Sequence, residues 1–130
     1  MKTYEIKTCL LVTDDPDDHQ AFSEAIGRVS EDSIVVIVVD SEKAQTLLSS
    51  ATYIPNHLII DLSMDGLDIN MFLETMRSNP KLARIPVLTY GEPSQYADIL
   101  DRRALVFFAK DYEFSKLQSI LHDFIHNQLG

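Results

Sequence analysis

The sequence predicts an α/β protein, a (βα)5 doubly wound parallel sheet with strand order 2-1-3-4-5. Short aliphatic runs alternate with segments of helical period along the whole chain. The runs are nearly continuous in apolar residues, as strands covered by helices on both faces must be. The 130 residues, 45% of them hydrophobic, suffice for the core of one domain, and five strands wound in this way commonly take that order.

Cys9 to Val12, in "TCLLVT", is the first strand. It meets "DDPDD", where Pro16 suits a helix start and the acids suit its first turn, and Phe22, Ala25, Ile26 and Val29 then form one helical face. "SIVVIVV" is the second strand, after which Asp40 or Ser41 caps a helix with Ala44, Leu47 and Leu48 inward. "HLIIDL" is the third strand. Past the loop "SMDGLD", Ile69 to Arg77 form a helix with Phe72, Leu73 and Met76 at core spacing, closed by "SNP". "IPVLTY" is the fourth strand, its proline at the entry where a missing donor is tolerated. "PSQYADILDRR" reads as a short fourth helix, "ALVFFA" as the fifth strand and Phe114 to Leu129 as the last helix. Phe114, Leu117, Ile120, Leu121, Phe124 and Ile125 make the buried stripe of that helix. With no repeat, low-complexity tract or linker, residues 1–130 read as one domain.

Charge narrows the partners. Twenty acidic residues against 11 basic ones give a net charge of -9, which repels nucleic-acid phosphates and anionic lipid, and no basic patch offsets it. The longest aliphatic run, Ile34 to Val39, is far below the roughly 20 residues that span a bilayer. The amino terminus has no signal-peptide pattern, so a cytoplasmic protein with neither nucleic-acid nor membrane partner is expected. The lone Cys9 sits in a strand with no cationic neighbour in view and reads as a buried, unreactive thiol.

In the order 2-1-3-4-5, strands 1 and 3 are neighbours and the ligand crevice lies at their carboxyl ends. Asp14 and Asp15 leave strand 1 there, and Asp61 leaves strand 3. Carboxylates that converge need protons or a cation, and Mg2+, which takes one or two carboxylates and keeps its waters, suits a shallow crevice. "DDPDD" alone is equally explained as an acidic helix start, but helix capping does not explain an acid at the end of a central strand. Lys110 ends strand 5 on the same edge, where its ammonium can reach the acids and a phosphoryl oxygen.

In this order, "LLVTDDPDD", "LIIDLSMDGLDI", "RSNPKLARIPVLTY" and "ALVFFAKD" resemble the receiver domain of two-component response regulators over essentially the whole chain. The resemblance implies a flavodoxin-like fold. It implies that Asp61 accepts a phosphoryl group from a phosphohistidine on a sensor histidine kinase or histidine phosphotransfer protein. Mg2+ would be held by Asp14, Asp61 and the backbone carbonyl of Ser63, and Lys110 would contact the phosphoryl group; Asp15, one residue on, is the candidate to compensate for the acid that Thr13 replaces. Phe107 takes the place of the aromatic switch residue. Output would be binding to a downstream protein, or homodimerisation, through the face of the fourth helix, fifth strand and last helix. An ionised aspartate is already a nucleophile, so no general base is needed, and the protein is not expected to be an enzyme.

The sequence also departs from that family. Thr13 and Asp14 stand where two acids usually follow strand 1. Counting without gaps from Asp61 through Pro86 puts Gly91 where the family has a hydroxyl, and Thr89 serves only if the strand slips two residues, about 7 Å. Glu92 replaces a small residue, Asp111 replaces a proline, and the stretch up to Lys110 is shorter than usual. These positions favour a second reading, a degenerate receiver that acts as a phosphorylation-independent interaction module. A Mg2+-dependent phosphatase on the same acids would lack a general acid, because Ser63 stands two residues after Asp61. His122 and His126 lie four apart on the last helix without a third ligand and read as solvent-facing. Tyr90, Tyr96 and Tyr112 fall near the family's docking face, as semi-exposed aromatics suited to packing or to a partner. "MDGLD" does not look like a phosphate-cradling loop.

Overall fold

The computed structural model describes residues 6–50, 53–92 and 106–127. Its strands are β1 (Lys7–Val12), β2 (Ser33–Val38), β3 (His57–Asp61), β4 (Val87–Gly91) and β5 (Val106–Ala109). The helices are α1 (Pro16–Val29), α2 (Ser41–Ser49), α3 (Ile69–Arg77) and α4 (Phe114–Asn127). All strand pairs are parallel, in the order β2-β1-β3-β4-β5. The expected topology is therefore observed. The helix expected in "PSQYADILDRR" and Tyr96 within it lie outside the described residues, so α4 here is the last helix.

Alternation along each central strand sorts the core into two layers. Cys9 and Leu11 of β1, Ile59 of β3 and Leu88 of β4 pack with Phe22 and Ile26 of α1 and Leu117, Leu121 and Phe124 of α4. Leu10 and Val12, with Leu58 and Ile60, pack on the other face against Ala44 and Leu48 of α2 and Phe72, Leu73 and Met76 of α3. β2 is an edge strand, and its Ile34 and Ile37 are exposed.

Capping residues set where the helices begin. Asp15 caps α1 by accepting from Asp17 N at 2.9 Å, with Pro16 in the first turn. Asp40 caps α2 by accepting from Glu42 N and Lys43 N, and Asp68 caps α3 by accepting from Met71 N. Between β3 and α3 the chain turns through Gly66 at φ 75°, a conformation that residues with a Cβ rarely adopt. β1 begins at Lys7, two residues before the expected start at Cys9, because Thr8 and Asn56 bond to each other ahead of β3: Thr8 N donates to Asn56 Oδ1 at 2.8 Å and Asn56 N to Thr8 O at 2.9 Å.

Candidate functional site

β1 and β3 are adjacent and run in the same direction, so their carboxyl ends bring Thr13 and Asp61 together. Asp61 is the last residue of β3 and is 0% exposed. Both of its carboxylate oxygens are saturated. Oδ1 accepts from Ser63 N at 2.9 Å and Ser63 Oγ at 2.5 Å, and Oδ2 accepts from Thr13 Oγ1 at 2.8 Å and Lys110 Nζ at 2.9 Å. Burial alone would raise the Asp61 pKa, but the bonds from Ser63, Lys110 and Thr13 outweigh it and hold the carboxyl below the ordinary 3.8. Asp61 is thus an anion at neutral pH.

Lys110 follows β5 and is tied to β4 by its backbone N–H, which donates to Gly91 O at 3.0 Å. Besides Asp61, its ammonium donates to Ser63 Oγ at 3.0 Å and lies 3.6 Å from both Asp15 Oδ2 and Asp18 Oδ2. These acids, led by Asp61, raise the Lys110 pKa against the lowering effect of burial.

The expected residues fall into place unevenly. Asp15, half-buried, caps α1 and faces Lys110, whereas Asp14 is exposed to solvent. Ser63 turns its N–H and hydroxyl onto Asp61. Gly91 lies one residue past Tyr90, the β4 partner of Asp61. Thr89 is fully buried one step short of that partner, and its hydroxyl donates to Val106 O at 2.8 Å on β5 rather than toward Asp61. Phe107, half-buried, pairs with Thr89 and packs on the α2 and α3 side. His122 and His126 are exposed, as expected.

Tyr90 is a correction. It is 0% exposed, because its ring packs between Phe22 and Phe108 on the α1 and α4 side of the sheet. Its hydroxyl donates to Asp18 Oδ2 at 2.8 Å, and that of half-buried Tyr112 donates to Asp18 Oδ1 at 2.7 Å.

Asp18, buried at 4% exposure, is the site residue that sequence reasoning missed. It is the last acid of "DDPDD", and its one sequence signal is spacing: it falls four residues before Phe22, on the inward face of α1. Thr13 was missed as a donor too. Its hydroxyl also accepts from Asp15 N at 3.2 Å, and its carbonyl meets His19 Nε2 at 2.6 Å, so the turn after β1 is fastened at three points.

Among the described residues three carboxylates therefore face one ammonium, and Asp14, next to Asp15 in the chain, is exposed. Surplus negative charge on hard oxygen donors fits a hard divalent cation. Among the described residues no three His, Cys, Asp or Glu side chains are grouped to hold a metal, so an ion here would rest on fewer carboxylates, with carbonyl and water oxygens completing its shell.

No known family profile matches the chain, and no curated protein matches it. Solved structures do. A phosphorylated cyanobacterial phytochrome response regulator, RcpA, superposes with TM-score 0.78 at 24% identity, over 97% of this chain and 98% of that one. The chemotaxis response regulator CheY4 of Vibrio cholerae gives TM-score 0.72 at 17% identity, over 90% and 97%. The receiver domain of the sensor histidine kinase PA1611 from Pseudomonas aeruginosa, with magnesium in its active-site cleft, gives 0.72 at 19%, over 93% and 98%. The chain has the receiver-domain fold of two-component response regulators.

Proposed function

We propose that this protein is a response-regulator receiver in which Asp61 accepts a phosphoryl group from a phosphohistidine on a sensor histidine kinase or histidine phosphotransfer protein. The observation that supports it most is the pairing of an ionised, fully buried Asp61 with Lys110 Nζ at 2.9 Å on the edge of the sheet where the strands end. An Asp61 oxygen forms the new P–O bond as the P–N bond of the donor breaks, and the released imidazole keeps the nitrogen lone pair. Lys110, whose side chain is 31% exposed, and exposed Ser63 are the solvent-side donors to Asp61, and the Lys110 ammonium passes from the carboxylate to the phosphoryl oxygens. Thr13 and Ser63 hold the carboxylate in place meanwhile. Asp14, Asp61 and the Ser63 carbonyl, with Asp15 close by, would hold Mg2+, which when bound neutralises phosphoryl oxygens.

The reaction modifies the protein itself, so no separate substrate is turned over. Output is binding of a downstream protein, or a second copy, at the face that includes β5 and α4, in the cytoplasm. Among the described residues no helix is long and apolar enough to cross a membrane.

A second reading, a phosphorylation-independent interaction module, is favoured by two observations. Thr13 places a hydroxyl where a further acid would assist a metal, and Gly91 has no hydroxyl for the phosphoryl group. Incubation with acetyl phosphate and Mg2+ followed by intact mass separates the two. A phosphoryl adduct on the wild type but not on Asp61→Asn supports the switch, and no adduct supports the module.

A further inference from the structure

Among the described residues, Asp18 is the one buried carboxylate besides Asp61, and the phosphoryl chemistry above makes no use of it. An acid in the first turn of a helix ordinarily gains from the helix dipole while facing water. Asp18 instead turns inward, and a carboxylate out of water must be fully hydrogen-bonded to persist. Tyr112 donates to Oδ1 at 2.7 Å and Tyr90 to Oδ2 at 2.8 Å. Burial, first among several causes, pushes both phenol pKa values far above the ordinary range, so each keeps its proton to donate.

The two tyrosines report on different strands. Tyr90 is the β4 partner of Asp61 and directly precedes Gly91, and Tyr112 follows Lys110 by two residues at the exit of β5. Lys110 links this cluster to Asp61. Its ammonium is 2.9 Å from Asp61 Oδ2 and 3.6 Å from Asp18 Oδ2, so it is shared unequally between two buried anions.

We propose that Asp18 is a positioning residue acting through Lys110: the shared ammonium passes a change of charge at Asp61 to Tyr112 and Tyr90, and so to the exits of β5 and β4. This relay does by charge what a hydroxyl at Gly91 would do by direct contact. When Asp61 loses its charge, as in Asp61→Asn, Lys110 moves onto Asp18 and draws on the lone pairs that the tyrosines use; a phosphoryl group on Asp61 adds charge there and draws the ammonium the other way, off Asp18. The relay extends the proposed function, but its test requires no phosphoryl transfer.

Protein labelled with 13Cζ-tyrosine is compared with its Asp61→Asn variant by NMR, the Tyr90 and Tyr112 resonances being assigned through Tyr90→Phe and Tyr112→Phe. Loss of the Asp61 charge is expected to shift the Tyr112 resonance by more than its linewidth, and that of Tyr90 less, while Tyr53, ahead of β3, stays put. In an Asp18→Asn background the shift is expected to vanish. Should Asp18→Asn fail to fold, Lys110→Gln, at a partly exposed position, cuts the same relay and is expected to abolish the shift too. A Tyr112 shift that persists in either background, or no shift in the first comparison, overturns the relay. No phosphoryl donor is present, so failure of Asp61 to be phosphorylated appears only in the mass experiment and leaves this result intact.

Discussion

Replacing Lys110 with methionine keeps the aliphatic stem and removes what is, among the described residues, the one ammonium facing Asp15, Asp18 and Asp61. At an effective dielectric constant of about 20, Coulomb's law gives about 6 kcal/mol for the pair at 2.9 Å and about 5 kcal/mol for each at 3.6 Å. The net loss is much smaller, because the side chain is 31% exposed and water screens and solvates the ammonium. Exposed pairs contribute about 0–1 kcal/mol, whereas breaking a buried pair costs about 3–5 kcal/mol. Asp61 and Asp18, with side chains 0% and 6% exposed, lie near the buried limit and Lys110 lies between. A loss of about 2 kcal/mol at pH 7 is therefore expected, which lowers the urea midpoint by about 1 M at an unchanged slope.

Asp61 is held below its ordinary 3.8 in the folded state, since the bonds from Ser63, Lys110 and Thr13 outweigh burial. Its contribution is therefore full above pH 3.8 and is lost as pH falls through the folded value. The gap between wild type and Lys110→Met should close in that acid window. An unchanged or raised urea midpoint at pH 7, or a gap that persists into acid, would show that Lys110 does not stabilise the fold through these acids.

Other consequences follow from single residues. The Cys9 thiol, pushed up to about 12 by burial, is expected to react with a disulfide reagent at pH 8 only as fast as the protein unfolds; labelling at the rate of a free thiol would contradict its burial. The His57 pKa is lowered from 6.5 by burial first and then by Lys7 and His126. The unfolded state thus takes up the proton first, and stability should fall as pH drops below 6.5, less steeply in His57→Gln when followed by urea titration. Asp40→Ala removes the acceptor for two N–H groups of α2 and should cost about 1 kcal/mol by the same titration.

Asp61 and Lys110 were legible in the sequence because each directly follows an aliphatic run, and parallel strands place their ends on one edge. Asp18 was not, since every acid of "DDPDD" suits a helix start equally well. What separates it are hydroxyls 72 and 94 residues away, which no local pattern contains. Tyr90 was misjudged for a related reason. A tyrosine in a strand next to a docking face reads as semi-exposed, and it is buried here because Asp18 satisfies its hydroxyl. Thr89 was placed correctly in its strand, but which neighbour its hydroxyl would choose depended on the pairing of β4 with β5.

Whether Asp61 takes up a phosphoryl group is read by exposing the protein to acetyl phosphate with Mg2+, reducing it at once with borohydride and mapping the product by peptide mass spectrometry. An acyl phosphate on Asp61 would be converted to homoserine at position 61, and that is the predicted result. Aspartate recovered intact at position 61, from a sample in which a known receiver is converted, would contradict it.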